Sequence, residues 1–374
     1  MNILLISDYY PPSKIGGVGE IVKELKQSYL SKGHNVYVLT SGKSSEKDVY
    51  SPSNNLIISL IVNNFYSLYL IKKFKIDIIH SHQGSSTLFY ITKYVMKNFP
   101  KIIHSYQVSY VSEFKNIKMY RVLNKKYRPT FYEYIEKYVF APIHIIFDTV
   151  AFQFADIITV PSLQNQTEIT KHYALGRKQK TPHVVPNGFR GDEDEVELKL
   201  KKNQRLNFLY LGVLRCRKGI FHLLSTFHYI NERYELDFHL EIVGGGRNYE
   251  KLILDTINNL KLKDRVTFLG PLSHEESIQK INSSDIMCLF SFYEGMPVTL
   301  FEGIASKKPY IASDLFGIRD VYNNINFGLT INPANIKESA EKINKFINNY
   351  TIRKVNLKDY RWDIIADKYL ELNL

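Results

Sequence analysis

The most informative part of the sequence reads Phe290-Ser291-Phe292-Tyr293-Glu294-Gly295-Met296-Pro297-Val298-Thr299-Leu300-Phe301-Glu302-Gly303. The apolar run Ile286–Phe290 leads into it and predicts a buried strand. Pro297 suits the first position of a helix, because the missing N–H of proline would have no partner there. A strand, a loop with glycine and a helix in this order are typical of the strand-to-helix turns of α/β proteins.

The start of this predicted helix suits an anion. The free amides of Val298 and Thr299 would point out of the helix N-terminus, at the positive end of the helix dipole. Glu302 lies four residues after Val298 on the same face, and its side chain leans back toward the N-terminus. Glu294 lies in the preceding loop. Singly, either carboxylate could be a surface charge, but together with the neighbouring glycine and proline they indicate a functional site.

Short apolar runs alternate with helical patterns on both sides of this stretch. In the N-terminal half the predicted strands are Ile3–Ser7, Val36–Thr40, Ile76–His80, Ile102–Ser105 and Ile157–Pro161. Further along they are Phe208–Gly212, Phe238–Val243, Val266–Leu269, Ile286–Phe290 and Tyr310–Ala312. This alternation predicts right-handed βαβ units. We therefore expect an α/β fold of two tandem Rossmann-like, doubly wound domains, with ligands bound in the cleft between them.

The domain boundaries follow from where the alternation stops. We expect the N-terminal domain at residues 1–188 and the C-terminal domain at residues 206–357, joined by a charged, unpatterned linker at 189–205. The run Asp192-Glu193-Asp194 contains the Asp-x-Asp spacing of a known metal-binding motif, but in a linker it indicates a solvated charge run. The last predicted helix, about residues 358–374, is a candidate to pack back on the N-terminal domain.

Composition sets broad limits on function. The net charge of +12 favours a polyanionic partner, with simple solubility as the alternative. Because no nucleic-acid motif is recognisable, anionic lipid or a phosphorylated small molecule is the better partner. The two cysteines have no metal-ligand spacing, so reduced thiols and a cytoplasmic location are expected.

Two apolar-rich stretches, residues 57–71 and 138–160, are interrupted by polar residues. Neither matches the roughly 20 apolar residues that a spanning helix needs, so we expect both to be buried core elements. The chain opens directly on a predicted strand, without the basic region of a signal peptide.

A second motif reads Leu211-Gly212-Val213-Leu214-Arg215-Cys216-Arg217-Lys218-Gly219. It joins a predicted strand to a helix that begins near Ile220. Cations beside a helix N-terminus oppose the helix dipole, by roughly 0.3–1 kcal/mol each. Three of them are better explained if an anion lies between them, although a solvated basic turn is the alternative.

These motifs together resemble the retaining nucleotide-sugar transferases of glycosyltransferase family 4, which have the GT-B fold. Glu294 and Glu302 match the Glu–seven residues–Glu signature of that family. Further matching segments are Ala305, Lys308-Pro309, Ile311–Asp314, Phe327–Leu329, Ile242–Gly246 and Arg265–Gly270. The resemblance covers nearly the whole chain, and its C-terminal motifs are fairly specific.

The resemblance implies a role for each carboxylate and for the basic turn. The first glutamate of the signature, Glu294, would contact the transferred sugar, and the second, Glu302, would hold the nucleotide ribose. Lys218 would grip the donor diphosphate together with an arginine. The remaining donor-site candidates are Gly295, Pro297, Val298, Thr299 and Gly244, the first residue of a glycine run.

One position of the basic motif departs from the family pattern. The family arginine that follows the first glycine is Val213 here. Either Arg215 or Arg217 would have to replace it, and the sequence leaves that choice open.

The N-terminal half carries weaker signals. Asp8–Pro12 followed by Ile15–Gly19 resembles the opening segment of the family, where Gly16 and Gly17 would allow close approach to a phosphate or sugar. Glycines needed for helix packing are an equal alternative. Ile102–Gln107 matches a family segment that usually ends in a sugar-contacting histidine. Gln107 can hydrogen-bond a hydroxyl but cannot titrate, so either no imidazole is needed or the alignment is shifted.

The function implied is the metal-independent transfer of a hexosyl-like group from a nucleoside-diphosphate sugar to a hydroxyl. The acceptor would be a glycan or a polyprenyl- or other lipid-linked group in polysaccharide or glycolipid biosynthesis. The alternatives are a nucleotide-sugar epimerase and, given Val213 and Gln107, a degenerate nucleotide-sugar binding protein. An NAD-dependent dehydrogenase is disfavoured, because the first turn lacks Gly-x-Gly-x-x-Gly.

The basic, aromatic stretch of residues 115–128 predicts peripheral contact with an anionic membrane, with an ordinary basic surface helix as the alternative. Charge reversal at Lys118, Arg121, Lys125 and Lys126 is expected to abolish binding to anionic liposomes in a flotation assay. Unchanged binding would contradict this hypothesis.

Overall fold

The structure is a computed structural model that describes residues 1–12, 16–53, 56–82, 87–112, 131–174, 180–191, 193–200, 204–246 and 249–373. These residues divide into two units. The first contains residues 1–112, 135–190 and 359–373, and the second contains residues 131–134 and 191–358. The basic stretch 115–128 and Asp192 lie outside the described residues.

The first unit is built on a seven-stranded sheet whose assigned strand pairs are all parallel. Its strands are β1 (Asn2–Ser7), β2 (Asn35–Thr40), β3 (Val49–Tyr50), β4 (Ile78–His82), β5 (Lys101–Ser105), β6 (Ile157–Val160) and β7 (His183–Val184). Their order in the sheet is β3-β2-β1-β4-β5-β6-β7, so the winding direction reverses between β1 and β4.

The helices of the first unit are α1 (Gly17–Ser31), α2 (Leu56–Phe74), α4 (Ala141–Phe154), α5 (Leu163–Tyr173) and the C-terminal α12 (Trp362–Glu371). The short helix α3 (Phe131–Ile135) begins in the second unit and ends at the first residue of the segment 135–190. A 3-10 helix occupies Leu88–Tyr94. Helix α12 packs against α1, and Lys32 Nζ of the α1 C-cap lies 2.8 Å from an Asp367 carboxylate oxygen.

Strand β4 begins two residues later than the sequence predicted. The amide of Ile76 donates to the carbonyl of Ile71 at 3.2 Å, and Lys75 has a left-handed φ of 48°. This six-residue closure is the C-terminal capping motif of α2. Ile76 is therefore buried as the end of a helix rather than as the start of a strand.

The second unit is built on a six-stranded sheet of order β11-β10-β9-β12-β13-β14, again with parallel pairing throughout. These strands are β9 (Leu206–Leu211), β10 (Phe238–Val243), β11 (Val266–Gly270), β12 (Ile286–Leu289), β13 (Tyr310–Ser313) and β14 (Gly328–Ile331). The helices are α6 (Ile220–Arg233), α7 (Tyr249–Asn259), α8 (His274–Ser283), α9 (Val298–Ala305), α10 (Phe316–Ile325) and α11 (Ile336–Asn348). Two Rossmann-like, doubly wound α/β domains are thus confirmed.

Part of the expected linker 189–205 is a strand, which corrects that prediction. Strand β8 (Glu195–Leu198) pairs antiparallel with β15 (Arg353–Asn356), and Val196 and Leu198 are buried. The Tyr350 hydroxyl also donates to the Leu198 carbonyl at 2.9 Å. Charged and apolar residues alternate here, as they do in a half-buried strand, and the charged neighbours hid this two-residue period.

The apolar-rich stretch 57–71 was predicted to be a buried core element, but part of it is exposed. It lies in α2, whose exposed residues include Ile61 and Phe65 and whose buried residues include Asn63 and Ser67. Among the described residues, no helix combines the length and apolar character needed to cross a bilayer.

Three buried histidines lie at the carboxyl ends of β4 and β5. The Tyr29 hydroxyl lies 3.1 Å from Nδ1 of His80, and the Ser105 hydroxyl lies 2.8 Å from its Nε2. Both ring nitrogens of His82 lack a hydrogen-bond partner. Burial lowers the pKa of His82 and of His104 to about 3, and it holds the pKa of His80 well below the ordinary 6.5.

These histidines should make the first unit sensitive to acid. Below pH 6.5 the unfolded chain takes up protons that the folded chain does not, so the free energy of unfolding falls as the pH falls. We expect a slope of about 1.4 kcal/mol per pH unit for each buried histidine. Replacing His82 with Leu should reduce the dependence of the unfolding free energy on pH by about 1.4 kcal/mol per pH unit, as measured by denaturant titrations at several pH values. An unchanged pH dependence would contradict the burial of a neutral His82 ring.

Candidate functional site

The candidate site lies where the winding of the second sheet reverses. Strands β9 and β12 are neighbours in the sheet, and the connections that follow them run in opposite directions, to β10 and to β13. Ligands of doubly wound sheets bind in the crevice at the carboxyl ends of such strands. Both motifs singled out in the sequence follow these two strands.

The loop after β9 is held in one conformation by a close backbone approach. Cys216–Lys218 form a turn of 3-10 helix that ends at Gly219, whose φ is 65°. A Cβ atom at Gly219 would lie 2.0 Å from the carbonyl oxygen of Phe290, so that only glycine fits there. The amide of Phe292 also donates to the Arg217 carbonyl at 2.7 Å. The two loops are therefore fixed against each other by their backbones.

This arrangement brings the carboxylate of Glu294 to the basic turn. The Lys218 ammonium donates to Oε1 of Glu294, and the Ser291 hydroxyl donates to the same oxygen at 2.6 Å. Nη1 of Arg217 lies 3.8 Å from Oε2 and donates to the Tyr293 carbonyl at 3.1 Å. We call Arg217, Lys218 and Glu294 the ion cluster.

Glu294 is ionised despite being buried. Burial by itself would raise its pKa, but the charges of Lys218 and Arg217 and the hydrogen bonds from Lys218 and Ser291 outweigh burial. The pKa of the Glu294 carboxyl therefore lies below its ordinary 4.5. At neutral pH this group accepts hydrogen bonds and has no proton to donate. With two cations and one anion, the cluster retains one net positive charge.

Glu294 leads directly into helix α9. Pro297 is the N-cap, with φ −72° and ψ 127°, and Val298 is the first helical residue, so Pro297 lies one position earlier than predicted. Its extended ψ keeps it outside the helix, while its carbonyl accepts the Leu300 amide at 3.2 Å. The amides of Val298 and Thr299 belong to the first turn, where helical geometry provides no intrahelical acceptor.

Glu302 lies half-buried on the second turn of α9. Tyr310 lies nearby on β13: burial raises the pKa of its hydroxyl well above the ordinary value, and the Glu302 charge adds to this shift. The Tyr310 hydroxyl donates to the Thr299 carbonyl and so ties the start of α9 to the sheet.

One of the candidate glycines, Gly244, has a packing role. Gly244 has a φ of 145°, and a Cβ there would lie 1.9 Å from the Gly212 carbonyl oxygen. The backbone of a second candidate, Gly295, is approached by Gly317, where a Cβ would lie 1.7 Å from the Gly295 carbonyl oxygen. The close approach of loop backbones therefore accounts for Gly244 without a ligand.

The two arginines of the basic turn are placed differently. Arg217 belongs to the ion cluster, whereas Arg215 precedes the 3-10 helix and accepts the Lys218 amide on its carbonyl at 2.9 Å. Val213, at the usual arginine position, is exposed. The geometry thus favours Arg217 as the arginine that accompanies Lys218.

The candidates of the first unit lie at the carboxyl ends of β1 and β5. Gly16 is the N-cap of α1 and Gly17 its first residue. A Cβ at Gly17 would meet nothing within 4 Å, so packing does not explain this glycine. Gln107 is buried, and its Oε1 accepts from Nδ2 of Asn187 at 3.0 Å.

Sequence reasoning missed Ser291 and Asn187 as site residues. Ser291 lies inside the most informative stretch, three residues before Glu294, and this short spacing was the available signal. Asn187 is 80 residues from Gln107, and no local pattern reveals such a pair. Within the part of the chain that the structure describes, no group of three or more His, Cys, Asp or Glu side chains could hold a metal ion.

Comparisons with known proteins agree with this geometry. A family model described as Glycosyltransferase Family 4 matches residues 15–192, and one described as Glycosyl transferases group 1 matches residues 192–361. An uncharacterized glycosyltransferase of Methanocaldococcus jannaschii is 21% identical, over 98% of this chain and 96% of the relative.

Solved structures resemble the fold over the full length. Sucrose-phosphate synthase from Thermosynechococcus elongatus matches with a TM-score of 0.74 and 18% identity, over 100% of this chain and 98% of that one. Anabaena HepE in complex with UDP-glucose matches with a TM-score of 0.67 and 16% identity, over 100% of this chain and 95% of that one. These likenesses establish the fold as GT-B.

The packing at Gly219 can be tested against the open space at Gly17. Gly219→Ala is expected to lower the free energy of unfolding by about 2 kcal/mol or more, because a left-handed φ and a backbone clash add together. Gly17→Ala, in a helical position with free space, is the matched control and should be neutral or slightly stabilising. Equal melting temperatures for the two variants would contradict the close approach of the loops.

Proposed function

This chain belongs to the GT-B glycosyltransferases of the family 4 type, and we propose that it transfers a hexosyl group from a nucleoside-diphosphate sugar to a hydroxyl with retention of configuration. The observation that supports this most is the ion cluster beside the start of α9. It joins two cations, a buried ionised carboxylate and a helix N-terminus at the switch point of one sheet.

The proposed mechanism rests on stabilisation of the leaving diphosphate. Negative charge grows on the diphosphate as the bond to the sugar breaks. Lys218, Arg217 and the amides of Val298 and Thr299 are positioned to stabilise that charge without a metal. Comparable cations in phosphoryl-transfer sites contribute about 10³-fold or more in rate.

The two carboxylates take different roles in this proposal. Glu294 holds the Lys218 ammonium and, being ionised, accepts hydrogen bonds from hydroxyls of the transferred sugar. Glu302, on the second turn of α9, accepts hydrogen bonds from the nucleotide ribose. Neither acts as a general acid. The acceptor oxygen bonds to the anomeric carbon on the face from which the diphosphate departs, and the proton of the acceptor hydroxyl passes to the leaving diphosphate oxygen.

The proposed function also names a donor to test first and a class of acceptor. Because the Anabaena HepE structure contains UDP-glucose, a UDP-hexose is the first donor to test. The acceptor is a hydroxyl of a glycan or of a lipid-linked group. A reducing cytoplasm fits the buried thiols of Cys216 and Cys288, and peripheral contact with the inner face of a membrane is part of the same proposal.

A degenerate nucleotide-sugar binding protein is the second candidate, because Val213 and Gln107 stand where the family has an arginine and a histidine. Such a protein would bind the donor without turning it over. An epimerase would convert the donor sugar without any acceptor. Analysis of the products separates all three functions.

Nucleotide binding can be measured by thermal shift with UDP, GDP, ADP, dTDP and NAD. A ligand that binds only the native state stabilises it by about 2.7 kcal/mol at 100 times its dissociation constant. We expect a shift with one nucleoside diphosphate and none with NAD. A shift with NAD alone would overturn the proposed function.

Substitution of the two glutamates should separate catalysis from binding. Glu294→Ala frees two cations and is expected to lower kcat by about 10²-fold or more. Glu302→Ala removes hydrogen bonds to the ribose and should weaken nucleoside diphosphate binding roughly tenfold, with a smaller effect on kcat. Glu275→Ala, at an exposed helical glutamate, is the control. Full activity in both test variants would refute the assignment.

A further inference from the structure

Helix α2 of the first unit has its apolar face outward. Its exposed large side chains are Ile58, Ile61, Phe65 and Tyr69, which recur at helical spacing along one face. Phe65 is 71% exposed and Ile61 is 63% exposed. Single exposed apolar residues are common, but four on one face of one helix are not explained by chance exposure.

The opposite side of α2 is buried and mixes polar with apolar residues. Ser59, Asn63, Asn64 and Ser67 are all nearly inaccessible. Nδ2 of Asn63 donates to the Ser41 hydroxyl at 3.3 Å, and Oδ1 of Asn64 accepts the Phe89 amide at 3.1 Å. Near the end of the helix, Leu70 and Ile71 are buried in the hydrophobic core of the first unit. These hydrogen bonds and the burial of the two aliphatic side chains together hold the helix with its apolar face outward.

The apolar surface continues beyond α2. The 3-10 helix Leu88–Tyr94 packs against both α2 and α4, and the Thr87 hydroxyl donates to the Phe147 carbonyl of α4 at 3.0 Å. Its outward residues include Tyr94 and the following Val95, which is 86% exposed. Helix α4 adds the exposed Ile146. We call these exposed side chains of α2, the 3-10 helix and α4 the apolar face.

Lysines outnumber acidic residues in the chain segment that carries most of the apolar face. Residues 51–112 contain six lysines, no arginine and one acidic residue, Asp77. One of these lysines, Lys93 of the 3-10 helix, is paired with Asp156 at 3.0 Å. The Asp77 carboxylate already accepts the Asn2 amide at 2.7 Å. Lys72 and Lys73 are exposed at the end of α2, and long lysine side chains can extend from an apolar surface to a charged one.

The exposed apolar side chains and the neighbouring lysines together favour an anionic lipid surface over a second copy of the chain. A second copy of the chain would bring the same net charge of +12 to the contact, which opposes association. An anionic lipid surface accepts apolar side chains below its headgroups and attracts lysines at their level. Tyr69 and Tyr94 suit that boundary, because their rings are apolar and their hydroxyls are polar.

We propose that the apolar face docks on an anionic lipid bilayer, with Ile58, Ile61 and Phe65 inserted below the headgroups. This inference rests on the proposed function, in which docking presents a lipid-linked acceptor to the first unit. It assigns membrane contact to residues other than the basic stretch 115–128.

The test is flotation of the full chain with phosphatidylcholine vesicles that do or do not contain phosphatidylglycerol. The double variant Ile61→Gln with Phe65→Gln should bind the anionic vesicles at least about tenfold more weakly, because it removes two inserted side chains. Phe65→Trp should retain binding. The matched control, Leu254→Gln with Ile352→Gln, replaces two exposed apolar residues of the second unit and should bind like the wild type.

The same assay tests the contribution of lipid charge, and melting temperatures show whether a variant has lost binding only because its fold is destabilised. Lys72→Gln with Lys73→Gln should weaken binding to anionic vesicles only, by about fivefold for each lysine. All variants should keep the wild-type melting temperature and the wild-type thermal shift with nucleoside diphosphate, so a failure of docking is distinct from a failure of the proposed function. Equal vesicle binding by the wild type and the Ile61/Phe65 variant would overturn the proposal, as would a wild-type dimer that this variant dissociates.

Discussion

The ion pair between Lys218 and Glu294 is the interaction on which the candidate donor site depends. A carboxylate this deeply buried would be costly unless a cation and a hydroxyl satisfied it. The loops after β9 and β12 are held together by backbone contacts as well as by these side chains. The close approach of Gly219 to Phe290 and the bond from Phe292 to the Arg217 carbonyl bring the charges together before any ligand binds. A preorganised cluster needs little rearrangement when a diphosphate arrives.

The sheet topology explains why so much of this could be predicted from the sequence. Continuous apolar runs mark the strands of a parallel sheet, and chemistry collects at their carboxyl ends, so motif and position are linked. Glu294, Glu302 and Lys218 were therefore predicted as site residues from local patterns, and their individual roles from the family resemblance. The sequence could not show that Arg217 rather than Arg215 lies beside Glu294. That depends on the position of each arginine relative to the single turn of 3-10 helix at Cys216–Lys218. Asn187 was missed because its partner Gln107 is distant in the chain.

The errors of the sequence reading have local and tertiary causes. Ile76 was assigned to a strand although its amide closes the end of α2 on the nearby Ile71 carbonyl, which is a local capping arrangement. Glu195–Leu198 was assigned to a linker although it pairs with β15, a tertiary partner that the sequence does not show. The apolar-rich stretch in α2 is a second tertiary case. Its hydrophobicity predicted burial throughout, whereas the contacts of Asn63, Asn64 and the core residues Leu70 and Ile71 decide which side is buried.

Helix α2 also shows how a fold can present apolar surface without losing its own stability. If the apolar face were the buried one, Asn63, Asn64 and Ser67 would point to solvent and the amide of Phe89 would lose its acceptor. A buried amide without an acceptor costs about 1–3 kcal/mol, and the same rotation would also remove Leu70 and Ile71 from the core. Polar and apolar residues of the buried side thus together favour the outward orientation of the apolar face. An outward face held in this way can bind an apolar partner without a conformational change, since no ordering of the helix has to accompany docking.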